Sequence, residues 1–417
     1  MPRADVVIIG AGLAGLSCAA ELAERGARVF LAAKGMATTH WTHGGLDIAA
    51  PAGTKTSRDG IRLLAAIEGH PYHLLEADAD SATVAHLARM AAAGLPQAGS
   101  LDDPLTLVPT AIGALRPAAI LPSAQAAALE SWQGVGLLLV GFARYRDAWA
   151  SYATRNLANA RWPGGPAEIR AVELDLPGLD DLHNMAPHIL ARRFEDPAWR
   201  RRALSAVADA LPAGAWRIGM PAVLGLAAHA EVHADAERML RHRVFEIASL
   251  PPSVPGLRLF EALRHRILGS GGRIQIGFDV VEVERHANRI VAIHTEAAAR
   301  TLRIGGDAFV LATGGIGGAG LRAHHDGTLR ERVFDLPVVA PPREDWFSDD
   351  PLRPHPLEAA GIEVDASLTP AALENVRVIG SALSGMHYLD ERCGDGVALA
   401  SAHRAARSLA AVGAVAA

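Results

Sequence analysis

Asp5-Val6-Val7-Ile8-Ile9-Gly10-Ala11-Gly12-Leu13-Ala14-Gly15-Leu16 is an apolar run that breaks into a G-x-G-x-x-G turn and then into an alanine-rich segment. A short run of β-branched residues bounded by glycine reads as a buried strand, and the segment after Gly12 reads as a helix. The three glycines have separate tasks in such a unit. Gly10 permits the tight turn, Gly12 lets backbone approach a pyrophosphate, and Gly15 lets the helix lie close on the strand. Helix N–H groups and the helix dipole then face an anion. The motif alone is weak, and its place between strand and helix makes it a nucleotide-binding signal. The expected fold class is α/β, built on a Rossmann-like domain.

An acid about twenty residues after the motif normally holds the ribose hydroxyls of an adenosine. The second strand reads Arg28-Val29-Phe30-Leu31-Ala32-Ala33-Lys34-Gly35, with Ala33 where that acid would stand. Two readings follow: the adenosine is held by backbone and Lys34, or the nucleotide has no adenosine.

A chain of 417 residues suits two or three domains, or one nucleotide-binding domain interrupted by another. The net charge of −5 gives no electrostatic case for nucleic acid. Cys18 falls inside the first helix and reads as core, and Cys393 lies far from it in sequence. No basic segment with an apolar core opens the chain, and apolar runs such as Val135–Val140 are far below the roughly 20 residues of a membrane span. The expectation is a cytoplasmic protein that meets the membrane only through a partner.

The nucleotide-binding pattern pauses after the loop from Thr38 to Ala50 and resumes near Pro251. Strand candidates between them are Gly136–Val140, Ile169–Leu174, Arg217–Met220 and Val244–Ile247. Helical stretches Arg146–Ala160, Asp196–Leu211 and Asp235–His242 alternate with them, the pattern of a small parallel α/β layer. The expected division is a nucleotide-binding domain in two parts, 1–105 and 250–417, around an inserted α/β domain, 106–249. Arg200-Arg201-Arg202 reads as the solvated face of an amphipathic helix.

After the return, Ala308–Leu311 leads into Ala312-Thr313-Gly314-Gly315, a strand ending where backbone can approach a planar or phosphorylated ligand. Asn375–Ile379 ends likewise in Gly380-Ser381. Cys393-Gly394-Asp395-Gly396 opens another alanine-rich helix, whose N-terminus can stabilise negative charge on a reduced flavin.

These motifs resemble those of the flavoproteins related to fumarate reductase and succinate dehydrogenase, and among them the B subunits of anaerobic glycerol-3-phosphate dehydrogenases. The resemblance rests on His40-Trp41-Thr42-His43-Gly44-Gly45-Leu46-Asp47, on Leu250–Leu259, and on Gly380-Ser381 followed by Cys393–Val397. It extends through Leu182-His183-Asn184 and Met220-Pro221-Ala222. The resemblance implies a complex of three kinds of subunit, in which this flavoprotein pairs with a sister flavoprotein and an iron–sulfur subunit passes electrons to membrane quinone. The implied substrate is sn-glycerol 3-phosphate, the product glycerone phosphate, and the cofactor FMN, which suits Ala33; FAD is the alternative, which suits the glycines. Gly44 and Gly45 are expected to line the flavin. Thr38 stands where succinate dehydrogenases carry a flavin-linked histidine, so the flavin is expected to be non-covalent. Asp395 is expected to cap its helix.

Dehydrogenating a secondary alcohol needs a base for the hydroxyl proton and cations for the phosphate. His40, His43 and His387 are the chosen candidate bases, ahead of His324, His325 and His355. Arg322, Arg343 and Arg353 are the candidate phosphate ligands. No histidine or cysteine spacing points to a bound metal, and two cysteines cannot supply an iron–sulfur cluster. Cys393 reads as a small residue packed at the flavin or as a reactive thiol at a helix N-terminus. Two functions stay open: oxidation of substrate at this chain's own flavin, or relay of electrons from a sister subunit that holds the substrate.

Overall fold

The computed structural model describes residues 3–145, 147–179, 185–297 and 300–415. In chain order, β1 (Arg3–Ile9), α1 (Leu13–Glu24) and β2 (Val29–Ala33) are followed by α2 (Ser57–Ala65) and α3 (Pro71–Ala92). Short strands β3 (Gln97–Ala98), β4 (Thr106–Pro109), β5 (Leu115–Ala118) and β6 (Leu121–Pro122) precede β7 (Gly136–Phe142), α4 (Ala150–Asn159) and β8 (Ile169–Leu174). Next come α5 (Pro187–Phe194), α6 (Pro197–Asp209), β9 (Trp216–Pro221), α7 (His229–Leu240), β10 (Arg243–Ile247) and α8 (Val254–Gly269). The last part holds β11 (Arg273–Ile276), β12 (Asp279–His286), β13 (Arg289–Ala297), β14 (Arg300–Leu311), β15 (Leu321–Ala323), β16 (Leu329–Glu331), β17 (Val376–Val378), α9 (Tyr388–Glu391) and α10 (Gly394–Val415).

The chain divides into two compact units. Unit 1 comprises Met1–Thr39, Asp47–Arg89 and Phe260–Ala417, and unit 2 comprises His40–Leu46 and Met90–Leu259. Unit 1 is built on a sheet in the order β11-β2-β1-β14-β13-β12, with β17 pairing β14 as well. β11, β2, β1, β14 and β17 run parallel, in registers such as Val7 opposite Phe309 and Val6 opposite Val29. β12, β13 and β14 are antiparallel. Every residue of β2 is buried, as a central parallel strand covered on both faces requires. α1 packs on α10, so the first and last helices of the unit share one layer.

Unit 2 carries a separate parallel sheet in the order β10-β9-β7-β8. Its strands fall where the sequence predicts them. α6 begins at Asp196, whose carboxylate accepts from the N–H groups of Ala198 (2.9 Å) and Trp199 (3.2 Å), a side-chain N-cap. α7 starts six residues before its expected position, and Arg146 and Leu182–Asn184 lie outside the described residues. The Arg200–Arg202 run is only partly solvated. Trp199, Ala203, Leu204 and Val207 bury one stripe of α6, and Arg200 turns in with them to 2% exposure. It donates to Asp235 (2.8 Å) and Glu231 (2.6 Å) and to the Phe194 carbonyl (3.0 Å), so it ties α6 to α7 rather than facing water.

Candidate functional site

Unit 1 brings the glycine-ended segments to the carboxyl end of its parallel strands. Gly10 has φ +117°, and a Cβ there would lie 2.2 Å from the Ala312 carbonyl oxygen; a Cβ on Gly15 would lie 2.1 Å from the Gly10 carbonyl oxygen. Both glycines are demanded by the close approach of β1, α1 and the end of β14. Gly12 differs, because its φ of −74° suits any residue and the nearest atom to an added Cβ is Ala37 Cβ at 3.7 Å. It is the N-cap of α1, without a side-chain cap and with no acid in the first turn. The first N–H groups of a helix have no intrahelical partner, so this end is an open anion seat.

The end of β14 supplies further fit. Thr313 Oγ1 is buried with no hydrogen-bond partner among the described residues, a polar atom that a bound group can satisfy. Gly314 has φ +81°. The Gly315 N–H faces Ser381 Oγ at 3.4 Å, and the Gly380 N–H donates to Ser401 Oγ at 2.9 Å. A Cβ on Gly380 would come within 2.8 Å of Ala14 Cβ, so Gly380 keeps room for the first turn of α1. An uncapped helix end, an open Gly12 and an orphaned hydroxyl fit a phosphate-bearing cofactor.

Beyond Ala33, the sequence leaves the place of the ribose acid empty. The Ala33 carbonyl accepts from the N–H groups of Gly277 (2.9 Å) and Phe278 (3.0 Å), which brings the start of β12 to the end of β2. There the Asp279 carboxylate pairs with Lys34 Nζ at 3.2 Å and with Arg332. Burial pushes this carboxyl up, but hydrogen bonds to Arg332 and Lys34 outweigh it and hold the group below its ordinary range. Lys34 is therefore engaged by an acid, and a carboxylate stands near Ala33 after all, supplied by another strand. Counting along the second strand could not find it.

The late helix end departs from expectation. Asp395 lies in the first turn of α10, where a carboxylate complements the helix dipole. Its Oδ2 accepts from the Asp47 N–H at 2.9 Å, while the N–H groups of Asp395 (3.0 Å) and Gly396 (3.1 Å) donate to the Asp47 carbonyl. Those two donors are spent on the loop at Asp47 and are not presented to a ligand. A Cβ on Gly396 would lie 2.0 Å from the Tyr72 hydroxyl, which itself donates to the Ile48 carbonyl at 2.6 Å. Gly394 opens the helix, and Cys393 is fully buried with its thiol 3.4 Å from Glu391 Oε2. Burial and the neighbouring Glu391 push the thiol well up, opposite to what a reactive cysteine needs.

His70, Glu391 and Cys393 bring three potential metal ligands within 4.8 Å of one another. The hydrogen bonds define a different role. His70 Nδ1 accepts from the Tyr72 N–H at 3.0 Å, so the ring proton sits on Nε2 and points at Glu391 Oε2, 3.2 Å away. The same oxygen accepts from the His387 N–H at 2.8 Å. His387 thus contributes its backbone to a satisfied carboxylate.

The loop carrying His40, His43, Gly44 and Gly45 belongs to unit 2. The His40 carbonyl accepts from the Ser253 N–H (2.7 Å), and His43 Nδ1 accepts from the Gly45 N–H (3.1 Å). Gln125 Nε2 donates to the His43 carbonyl at 2.7 Å. Burial lowers the His40 pKa. A Cβ on Gly44 would lie 2.7 Å from Pro255 Cβ, and one on Gly45 would lie 2.5 Å from Leu121 Cδ2, so close packing explains this pair. Among the remaining candidates, His324, His325, Arg322, Arg343 and Arg353 are exposed, and His355 Nδ1 accepts from the Ser348 N–H at 3.0 Å.

The fold and the glycine-lined helix end define a flavoprotein of the dinucleotide-binding class. Residues 5–397 match the FAD binding domain family. The chain is 31% identical to the probable anaerobic glycerol-3-phosphate dehydrogenase B subunit of Halobacterium salinarum, over 98% of either chain. It is 31% identical to the anaerobic glycerol-3-phosphate dehydrogenase B subunit of Yersinia pestis, over 95% of this chain and 96% of that protein. Among solved structures, quinol fumarate reductase of E. coli aligns with all of this chain and 72% of its own at 11% identity and TM-score 0.42. The Mycobacterium smegmatis Sdh1 complex aligns with 98% of this chain and 68% of its own at 12% identity and TM-score 0.43. This chain belongs to the FAD binding domain family and, within it, to the family of anaerobic glycerol-3-phosphate dehydrogenase B subunits. Its cofactor is a flavin. The family match favours FAD over the FMN that Ala33 suggests.

Proposed function

We propose that this chain is the FAD-carrying relay subunit of a glycerol-3-phosphate dehydrogenase complex, in which a sister flavoprotein oxidises sn-glycerol 3-phosphate to glycerone phosphate. The observation that carries the reading is end-to-end kinship with B subunits of that name. Electrons leave through an iron–sulfur subunit toward membrane quinone, since Cys18 and Cys393 are both buried and too few to ligate a cluster. No helix among the described residues is long and apolar enough to cross a membrane, and in this reading the partners supply the attachment.

The α1 N-terminus, where Gly12 leaves space and the N–H groups are uncapped, would hold the FAD pyrophosphate. Thr313 Oγ1 would bond a polar group of the cofactor, and Asp279, kept ionised by Lys34 and Arg332, would take the role of the missing ribose acid. The flavin, when bound, supplies reversible acceptance of two electrons. Relay is favoured over oxidation in this chain because the arginines proposed for the phosphate are exposed and the contact shown for His387 among the described residues is its backbone bond to Glu391.

The test is anaerobic mixing of the flavin-loaded chain with sn-glycerol 3-phosphate while flavin absorbance is followed. Bleaching only after addition of the sister flavoprotein supports relay. Rapid bleaching by substrate alone overturns it and makes His40 and His43 the first residues to replace.

A further inference from the structure

Unit 2 contains a cavity of about 230 Å³, lined by Gln97 and Gly44, by His229 and His233 of α7, and by Pro255 and Arg258 of α8. That volume is below the range of about 300–1,000 Å³ usual for cofactor and drug-sized ligands, and it suits a small metabolite. Arg258 is the obvious anion ligand, but it is already spent. Its Nη1 and Nη2 donate to Glu246 at 2.6 and 3.0 Å, and its Nε donates to the Gly225 carbonyl at 2.9 Å. Glu246 is wholly buried, and burial pushes its carboxyl up, yet Arg258 and its neighbours hold it ionised at about 2. The pair is neutral as a whole, so the cavity has no charge left for a phosphate.

What remains is a set of acceptors whose orientation the backbone fixes. His229 Nδ1 lies 3.0 Å from the Leu224 carbonyl, and a carbonyl can only accept, so Nδ1 carries the proton and Nε2 is left with a lone pair. His233 Nε2 lies 3.0 Å from the Val244 carbonyl, so Nε2 carries a proton, and in the neutral ring Nδ1 is the acceptor. The two rings are neighbours, with centroids 6.3 Å apart on successive turns of α7. Gln97 Nε2 donates to the Gly44 carbonyl at 3.3 Å, which sets the amide so that Oε1 faces the other way. That oxygen is buried and has no partner among the described residues. Burial holds His229 at about 4, so its ring is neutral at physiological pH and keeps its acceptor.

A buried acceptor without a donor is costly, and the unpartnered Gln97 Oε1, beside the ring lone pairs of His229 and His233 on the same small cavity, calls for a ligand that brings several hydroxyl donors and no charge. We propose that this cavity binds a small uncharged polyol, with Gln97 Oε1, His229 Nε2 and His233 Nδ1 each accepting from a hydroxyl. The site is separate from the flavin reading and does not rest on it.

The probe is glycerol, measured by saturation-transfer difference NMR on the flavin-loaded full chain. Glycerol should receive saturation, propane-1,2-diol several-fold less and propan-1-ol least, because each step removes a donor. Gln97→Leu should weaken glycerol binding at least fivefold while the flavin spectrum is unchanged. Three outcomes would overturn the proposal: no transfer to glycerol, equal transfer across the alcohol series, or displacement of glycerol by inorganic phosphate or glycerol 3-phosphate at equal or lower concentration. The alcohol series on the native chain keeps the test decisive if the variant does not fold.

Discussion

Gly10 and Gly12 should separate folding from cofactor binding although they stand two residues apart. Alanine at Gly10 meets two penalties: a Cβ 2.2 Å from the Ala312 carbonyl oxygen and a φ of +117°. Positive-φ strain costs about 1–3 kcal/mol and overpacking about as much again, so Gly10→Ala should lose roughly 2–6 kcal/mol. At about 2–4 °C per kcal/mol for a unit of this size, the melting point falls by roughly 5–20 °C. Gly12→Val meets neither penalty, since φ is −74° and the nearest atom to Cβ is 3.7 Å away. Its cost is that of a poor N-cap residue, about 1 kcal/mol, while its methyl groups fill the space over the α1 N–H groups. Flavin affinity should fall more than tenfold, at least about 1.4 kcal/mol. The assay compares melting of the flavin-free proteins with flavin retained through gel filtration. Full flavin content in Gly12→Val, or a Gly10→Ala variant as stable as wild type, would refute the division of labour.

His86 is wholly buried with neither ring nitrogen partnered among the described residues, and burial, with Arg89 adding to it, lowers its pKa to about 3; burial lowers His229 to about 4. Unfolded histidines titrate near 6.5, so the unfolded chain binds more protons below that pH. Stability is full above pH 6.5 and falls toward pH 3–4, by on the order of 3 kcal/mol for each histidine. Denaturant titrations across that window test this, and a flat profile contradicts it. His86→Leu should lessen the acid loss and add about 1–3 kcal/mol at pH 7, read as a higher urea midpoint. Glu246→Gln leaves Arg258 buried without its counter-charge and should cost about 3–5 kcal/mol by denaturant unfolding; an unchanged midpoint would remove the pair from the account. Asp279→Asn should raise the Kd for FAD roughly tenfold while leaving FMN affinity unchanged, as read by fluorescence titration of the flavin-free chain. Equal FAD affinity would dismiss Asp279 as the ribose ligand.

The parts of the fold written in local pattern were legible. Asp5–Leu16 carries strand, turn and helix in one stretch, and the unit 2 strands are apolar runs bounded by turn residues. What was not legible depends on neighbours distant in sequence. Arg200 looks solvated until Asp235 and Glu231 of another helix are placed beside it. Asp279 lies some 250 residues from the strand end it reaches, so motif spacing says nothing of it. The bond from the Asp47 N–H to the Asp395 carboxylate joins residues distant in the chain, and no local rule at the start of α10 points to it. The tautomers of His229 and His233, on which the polyol site depends, are set by carbonyls that only tertiary structure brings near.

Acid precipitation followed by mass measurement of the supernatant shows whether this chain holds FAD and whether the bond to it is covalent. Protein purified from flavin-replete cells should leave a colourless pellet and release FAD in near-stoichiometric amount. FMN in the supernatant, colour fixed in the pellet, or no flavin in either fraction would contradict a non-covalent FAD in this chain.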